Sequence, residues 1–143
     1  MDFGKINNTD MNLIELPNHR DTRGEIQMIL ENCLIGSISR IRSFPGTWRA
    51  RHTHPNDSHY CEVICGEIEY YERKTGSNEK PTKSIYTLGD IFYTPPRVDH
   101  EMVFNVFTIF NCYSKLPRDE KNYEKETIRF VESLKEIYNN WKN

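Results

Sequence analysis

Short segments rich in strand-forming residues, each bounded by Gly, Pro, Asn, Asp or Ser, follow one another through most of this sequence and restrict its possible folds. They are residues 25–30, 34–44, 50–54, 59–65, 68–73, 83–87, 91–94 and 101–111. No helical hydrophobic period lies between them. The pattern predicts an all-β protein built as an antiparallel barrel or sandwich.

The chain has 143 residues, the size of one domain that buries a core without disulfides. We predict an N-terminal extension over 1–20, a barrel over 21–129 and a short amphipathic helix over 130–143. Apolar residues recur there at three and four residue spacing, at Phe130, Val131, Leu134, Ile137, Tyr138 and Trp141. The apolar face of this helix either caps the barrel or packs on a second subunit.

Charge and hydropathy narrow the class of partner. The sequence has 19 basic and 21 acidic side chains, interspersed, with a net charge of −2, so no broad positive field is available for nucleic acid. We therefore expect a small-molecule partner. No apolar run reaches the length of a membrane span or forms a signal peptide, and we expect a cytoplasmic protein.

The cysteines are Cys33, Cys61, Cys65 and Cys112. They lack CxxC spacing and lie in apolar segments, which is typical of reduced core residues. Cys61 and Cys65 share strand parity with His59, so one of them can face the same pocket as that histidine.

Four of the five histidines point to one metal site. His52 and His54 share a face if their segment is extended, and His59 follows a turn at 55–58 and opens the next strand-like run. His100 begins another such run after a second turn-forming stretch. Imidazole is the commonest protein ligand of transition metals, so this spacing predicts a site for one ion.

Two motifs resemble those of the cupin superfamily. They read Gly46-TWRAR-His52-Thr53-His54-PNDS-His59-YCEVIC-Gly66 and Gly89-DIFYT-Pro95-PRVD-His100, followed by Asn105. His59 replaces the usual acidic or amide ligand, and Arg97 stands where the family often has glycine. The resemblance implies a single-domain cupin jelly-roll barrel whose metal ligands are His52, His54, His59 and His100. The ion would be a divalent transition metal, Zn, Fe, Mn or Ni.

A closer resemblance is to RmlC-like nucleotide-sugar 3,5-epimerases and 3,4-ketoisomerases. The segment 21–24, DTRG, is similar to their D-x-RG segment, and 49–54, RARHTH, is similar to the ketoisomerase motif RGxHxHK. Ala50 replaces the glycine of that motif, Pro55 the lysine, and His59 a following glutamine. The tail from Leu116 through Tyr123 also resembles the acidic, tyrosine-bearing tails of these proteins.

This resemblance implies isomerisation or epimerisation of a keto-deoxysugar or nucleotide sugar in polysaccharide biosynthesis, by a homodimer. Such a reaction needs a group that moves a proton, and we expect Tyr70 or Tyr113 in preference to Glu62, which has the opposite strand parity to His59. An anionic diphosphate would be bound by arginines near the first motif, namely Arg40, Arg42, Arg49 and Arg51.

Three other hypotheses fit the same residues. A non-haem metal dioxygenase acting on a small chelating substrate would use the same histidines. A noncatalytic sugar-binding cupin would use the ion to grip hydroxyl groups, since a fold alone does not specify activity. In a barrel without metal, the histidines are polar core residues, or His52 and His54 serve as acid and base.

Overall fold

Two antiparallel sheets face each other in the structure, a computed structural model that describes residues 19–142. The predicted extension over 1–20 lies outside the described residues except for its last two positions. The strands are β1 (His19–Asp21), β2 (Gly24–Ile26), β3 (Ser37–Ser43), β4 (Thr47–Thr53), β5 (His59–Cys65), β6 (Glu67–Lys74), β7 (Thr82–Thr87), β8 (Ile91–Thr94), β9 (Val98–Phe104), β10 (Thr108–Ser114) and β11 (Ile128–Arg129). The helices are α1 (Glu120–Lys125) and α2 (Leu134–Asn139).

The sheets form the jelly-roll sandwich that the sequence predicts. One sheet has the strand order β3-β10-β5-β8, and the other has the order β11-β4-β9-β6-β7. A separate hairpin joins β1 and β2. Alternating residues of the two inner faces form the core, which contains Cys61, Val63, Ile68, Tyr70, Phe92, Met102, Phe104, Phe110 and Cys112.

The predicted strand pattern is confirmed with two corrections, the first being that the strand predicted over 25–30 ends at Ile26 as β2. β5 and β8 have the predicted bounds, but the predicted run over 101–111 is wrong because it contains the end of β9, a turn at 105–107 and the start of β10. Apolar residues continue through this turn as Val106 and Phe107, so hydrophobicity does not mark it. Gly66 lies beside the turn with φ +87°, and a Cβ atom there would collide with the carbonyl oxygen of Phe107.

The predicted C-terminal helix is present but shorter than expected. α2 begins at Leu134 because the Ser133 hydroxyl caps it, accepting the Glu136 N–H at 3.3 Å. Leu134 is fully buried, whereas Val131 precedes the helix and is exposed. No helix among residues 19–142 is long and apolar enough to cross a membrane.

α2 packs on the outer face of the five-stranded sheet, against β6 and β9. The buried Glu101 carboxylate joins the two layers, since it accepts hydrogen bonds from the Arg51 guanidinium (3.0 Å), the Ser133 hydroxyl (3.0 Å) and the Lys135 N–H (3.1 Å). Tyr71 of β6 also contacts Tyr138 edge to face. Of the two packing alternatives, the structure therefore shows the one within the chain.

β4 is interrupted by a β-bulge at Ala50 and Arg51. Ala50 lies opposite Glu101 and His52 lies opposite His100, so two steps on β4 match one step on β9. Ala50 and Arg51 have φ of 71° and 54°, in the left-handed region. The extra residue reverses which face the following side chains occupy, so Arg49 and His52 point to the same side.

Exchange of Ala50 for Gly should raise the free energy of unfolding by about 1 kcal/mol, because glycine adopts positive φ without the clash of a Cβ atom. Glycine also stands at this position in the ketoisomerase motif. The measurement is urea denaturation followed by circular dichroism. Ala50→Val is the matched control and should be destabilising at the same φ. Equal stability of Ala50→Gly and the natural chain would contradict the strain at this bulge.

Candidate functional site

The four histidines predicted to act together meet at one end of the barrel. His52 comes from the end of β4, His54 from the loop after it, His59 from the start of β5 and His100 from β9. Ring centroids lie 4.4 Å apart for His52 and His54, and 4.6 Å apart for His52 and His100. His59 lies 4.6 Å from His54 by the same measure. All four side chains are buried.

Hydrogen bonds fix which nitrogen three of these rings present to one another. His54 donates from Nδ1 to the carbonyl oxygen of Glu126, and His100 donates from Nδ1 to that of Val98 at 3.0 Å. A carbonyl oxygen only accepts, so Nε2 of both rings carries a lone pair. His59 Nδ1 is 2.7 Å from the Ser114 hydroxyl, so Nε2 is the nitrogen that His59 has left for another ligand.

The resulting donor set fits a metal ion. One ligand nitrogen from each of His52, His54 and His100 lies within 4.8 Å of the others. Among residues 19–142, the Nε2 atoms of His54 and His59 are buried without a hydrogen-bond partner, which is unfavourable unless another ligand contacts them. Neutral imidazoles of this kind suit a divalent transition metal.

Burial keeps the imidazoles of His52, His54 and His100 neutral. Together with the nearby histidines, burial lowers the pKa of His54 to about 4 and the pKa of His100 to about 3. Burial, followed by the proximity of His100, also lowers the pKa of His52 strongly. These three rings are therefore in the form that binds metal at neutral pH.

A cavity of about 260 Å³ opens in front of the histidines. His52, His59 and His100 contribute to its wall, with apolar contacts from Ile41, Met102 and Phe110. Three arginines, Arg49, Arg118 and Arg129, also line it. The cavity thus combines metal-binding nitrogens, an apolar wall and donors suited to an anion.

Sequence reasoning identified Arg49 but missed Arg118, Tyr123 and Arg129 as site residues. The chain after β10 brings all three to the cavity: the Arg118 guanidinium lies 4.7 Å from the Tyr123 ring centroid, and Arg129 of β11 pairs with His52. Tyr123 belongs to α1, which was not predicted as a helix, and its ring centroid is 6.4 Å from that of His52. The available signal was the resemblance of this tail to tyrosine-bearing tails.

The Glu126 side chain holds this closing segment against the barrel. Its carboxylate accepts hydrogen bonds from the backbone N–H groups of Asn56 at 2.9 Å and Asp57 at 3.1 Å. Its backbone carbonyl accepts a hydrogen bond from Nδ1 of His54. The buried Asp57 carboxylate in turn accepts the Leu116 N–H at 3.0 Å. The loop after β4 and the segment after β10 are therefore tied together around the histidines.

The structure does not bring the two predicted tyrosines into the cavity wall. Tyr70 is fully buried in the core behind His100, and its hydroxyl shares a hydrogen bond with Thr94 at 2.7 Å. Burial raises the pKa of Tyr70 well above its usual value. Tyr113 lies on the outer face of its sheet, where it donates to Glu62 at 2.7 Å. The parity argument for Glu62 is consistent with this placement.

The predicted arginines are divided between two surfaces. Arg49 lines the cavity and donates to the Ser43 hydroxyl at 2.7 Å. Arg40 and Arg42 alternate with the cavity-lining Ile41 and are exposed on the other face of β3. Arg51 points outward to Glu101, and its guanidinium stacks 3.6 Å from the Trp48 ring centroid. The structure thus places one of the four at the histidine cavity.

Solved structures with this fold include sugar-modifying enzymes. A 3,4-ketoisomerase from Helicobacter canadensis superposes with a TM-score of 0.65 at 20% identity, over 89% of this chain and 93% of that one. An RmlC 3,5-epimerase from Legionella pneumophila, in complex with dTDP-4-keto-L-rhamnose, gives a TM-score of 0.67 at 15% identity, over 95% and 81%. The chain has the RmlC-like cupin fold.

The capsular polysaccharide assembling protein CapF from Staphylococcus aureus shares the fold in part of its length. It superposes with a TM-score of 0.59 at 17% identity, over 80% of this chain. The chain spans about a third, 34%, of the CapF chain. No protein-family model and no curated protein matches the sequence.

Acid should destabilise the metal-free protein from about pH 6.5 downward, the usual pKa of an unfolded histidine. Between pH 6.5 and about 4, the unfolded chain binds protons that folded His54 and His100 do not. The free energy of unfolding therefore decreases as the pH is lowered through this range. The slope approaches about 1.4 kcal/mol per pH unit for each histidine. Urea denaturation in EDTA at several pH values measures it.

Two variants calibrate this acid effect. His100→Gln removes one group that resists protonation and should reduce the slope between pH 6.5 and 5. His19→Gln, on the separate β1–β2 hairpin, is the control for a histidine outside the buried cluster. A slope in His100→Gln equal to that of the natural chain would contradict the assignment.

Proposed function

We propose that the protein binds a divalent transition metal at His52, His54, His59 and His100 and isomerises or epimerises a keto-deoxysugar, carried as a nucleotide sugar in polysaccharide biosynthesis. The carrying observation is the convergence of imidazole nitrogens at an arginine-lined cavity. Zn, Fe, Mn and Ni all suit such a donor set. The homodimer and the cytoplasmic location predicted from the sequence belong to this proposal.

The metal and the cavity have complementary roles. When bound, the ion would act as a Lewis acid toward a carbonyl or enediol oxygen. His52, His54 and His100 would hold it through neutral nitrogens, and His59 would complete the set through its unpartnered Nε2. The Nδ1 hydrogen bonds to Glu126, Val98 and Ser114 would keep the rings oriented, since such bonds fix tautomer and direction.

Tyr123 is the residue that we assign to proton transfer. It lines the cavity, and its ring lies 6.3 Å from that of His54 and 6.4 Å from that of His52. A phenolic hydroxyl donates and accepts protons, as removal and return of a proton beside a keto group require. Tyr70 and Tyr113, the candidates from the sequence, lack this access because their hydroxyls bond to Thr94 and Glu62.

The three cavity arginines would bind the anionic part of the substrate. Arg49 is anchored through Ser43, and Arg129 is held by two hydrogen bonds to Glu124 at 3.0 and 3.1 Å. Arg118 contacts both the Tyr123 ring and Cys112. Guanidinium groups at three points of one cavity suit a diphosphate, whose oxygens accept paired N–H donors.

The named activities of proteins with this fold agree with such chemistry. A ketoisomerase and 3,5-epimerases superpose over most of this chain, and one of them holds dTDP-4-keto-L-rhamnose. A non-haem dioxygenase would use the same histidines, and a sugar-binding protein would use the same cavity without turnover. Oxygen uptake distinguishes the dioxygenase from the isomerase, and binding without turnover distinguishes the sugar-binding protein.

Protein purified without chelators or a histidine tag should contain about one equivalent of a transition metal per chain, because the ligand nitrogens of His52, His54 and His100 lie close enough together to share one ion. His52→Ala and His100→Ala should each lose most of it and keep a folded barrel by circular dichroism. Elemental analysis measures the content.

His19→Ala is the control for metal content and should retain the full equivalent, since His19 lies on the separate β1–β2 hairpin. Natural metal content in His100→Ala would remove His100 from the ligand set. Absence of metal after reconstitution would return His52 and His54 to acid and base roles in a metal-free ketoisomerase.

With a dTDP-4-keto-6-deoxyhexose in D₂O, the protein should incorporate deuterium beside the keto group, detected by NMR and mass spectrometry. Tyr123→Phe should lower kcat by about 100-fold, the usual contribution of a proton-transferring group, with little change in KM. Arg118→Met should instead raise KM, because it removes a donor to the diphosphate.

Tyr113→Phe is the matched tyrosine control and should keep natural kcat, since its hydroxyl lies on the outer face of the sheet. Natural kcat in Tyr123→Phe would overturn the assignment of Tyr123. Oxygen uptake with a diol or keto acid, together with inactivity on nucleotide sugars, would replace the isomerase by a dioxygenase. Sugar-nucleotide binding without turnover would favour the noncatalytic protein.

A further inference from the structure

Two buried cysteines face each other across neighbouring strands in the wall of the histidine cavity. Cys61 of β5 and Cys112 of β10 are direct partners in the antiparallel register. Both side chains line the cavity. Both thiols are free in the structure. The sequence predicted that a cysteine of β5 can face this pocket, and Cys61 confirms it.

The backbone already has the spacing that a disulfide requires. Directly opposed residues of an antiparallel pair have Cα atoms about 4.5 or 5.5 Å apart, depending on their place in the hydrogen-bond ladder. A disulfide accepts Cα separations of about 4.4 to 6.8 Å. The Cα spacing of either arrangement therefore lies within the range that a disulfide between Cys61 and Cys112 accepts.

Cys112 lines the cavity, and two neighbouring groups contact its sulfur. The Arg118 guanidinium donates to its sulfur at 3.5 Å, and the Ser114 hydroxyl is 3.6 Å from the same atom. Cys112 belongs both to the hydrophobic core and to the cavity lining, so it lies where the two meet. A small neutral oxidant that enters the cavity therefore reaches Cys112 sulfur beside a second thiol.

We propose that Cys61 and Cys112 form a reversible oxidation site whose co-reactant is a hydroperoxide. The Cys112 sulfur attacks a peroxide oxygen, the O–O bond breaks, and the leaving oxygen takes a proton, which gives a sulfenic acid and, from hydrogen peroxide, water. The Cys61 sulfur then attacks the sulfenic sulfur, the S–O bond breaks, and the thiol proton leaves with the oxygen as water. Two thiols are oxidised to one disulfide, and one peroxide is reduced.

The partner thiol decides the product of this reaction. A sulfenic acid with a neighbouring thiol closes to a disulfide, which a thiol reductant reopens, whereas an isolated one persists or is oxidised further. Cys65 lies at the far end of β5 opposite Ile109, so it lacks this arrangement with Cys112. The inference depends on the thiol pair and is independent of the sugar chemistry proposed above.

The test treats the purified protein with stoichiometric hydrogen peroxide, as isolated and again after addition of EDTA. Peptide mass spectrometry should find a Cys61–Cys112 disulfide in both samples, and dithiothreitol should restore both thiols. In Cys61→Ser, dimedone should label Cys112 at least about tenfold more than in the natural chain, because the sulfenic acid has lost its partner. Circular dichroism checks that each variant is folded.

Cys65→Ser is the matched control and should form the disulfide in natural yield. Retention of both thiols after peroxide treatment, or oxidation confined to Cys33 and Cys65, would overturn the proposal. Equal dimedone labelling of Cys112 with and without Cys61 would also overturn it, since the two sulfurs would then react independently.

Discussion

The pairing of β4 with β9 across a bulge is the constraint on which the histidine site depends. It sets His52 directly opposite His100 and turns Arg49 to the same side. The cost is two non-glycine residues in the left-handed region, Ala50 and Arg51. Without the extra residue, the imidazoles and the cavity arginine would lie on opposite faces of one strand.

The two faces of the five-stranded sheet are completed by different parts of the C-terminal chain. On the outer face, α2 covers Glu101 and satisfies its buried carboxylate through Ser133 and Lys135. At the cavity end, the segment through α1 supplies Tyr123 and ties down the loop after β4 through Glu126. The helix that covers the outer face of the sheet and the segment that closes the cavity are thus neighbours in the sequence.

Burial has a direct consequence at the site. It removes water from the imidazoles, which favours their neutral form, and the Nδ1 hydrogen bonds then direct the remaining lone pairs inward. Cys61 and Cys112 line the same cavity, and the pairing of β5 with β10 sets them opposite each other. The proposed metal ligands His52, His59 and His100 and the proposed thiol pair therefore line the same cavity.

Alternation and turn chemistry in the sequence determined the all-β fold and the bounds of β5 and β8, because these depend on short-range periodicity. The grouping of His100 with the other three histidines came from the spacing of the two motifs. Tertiary structure decided which arginines and which tyrosine reach the cavity. A bulge changes face without a hydrophobic signal, as at Ala50, and α1 is a short helix whose place depends on the distant loop that Glu126 holds. The motifs predict which histidines lie close together. Side-chain direction at the bulge and the closure of the cavity depend instead on contacts between residues far apart in the chain.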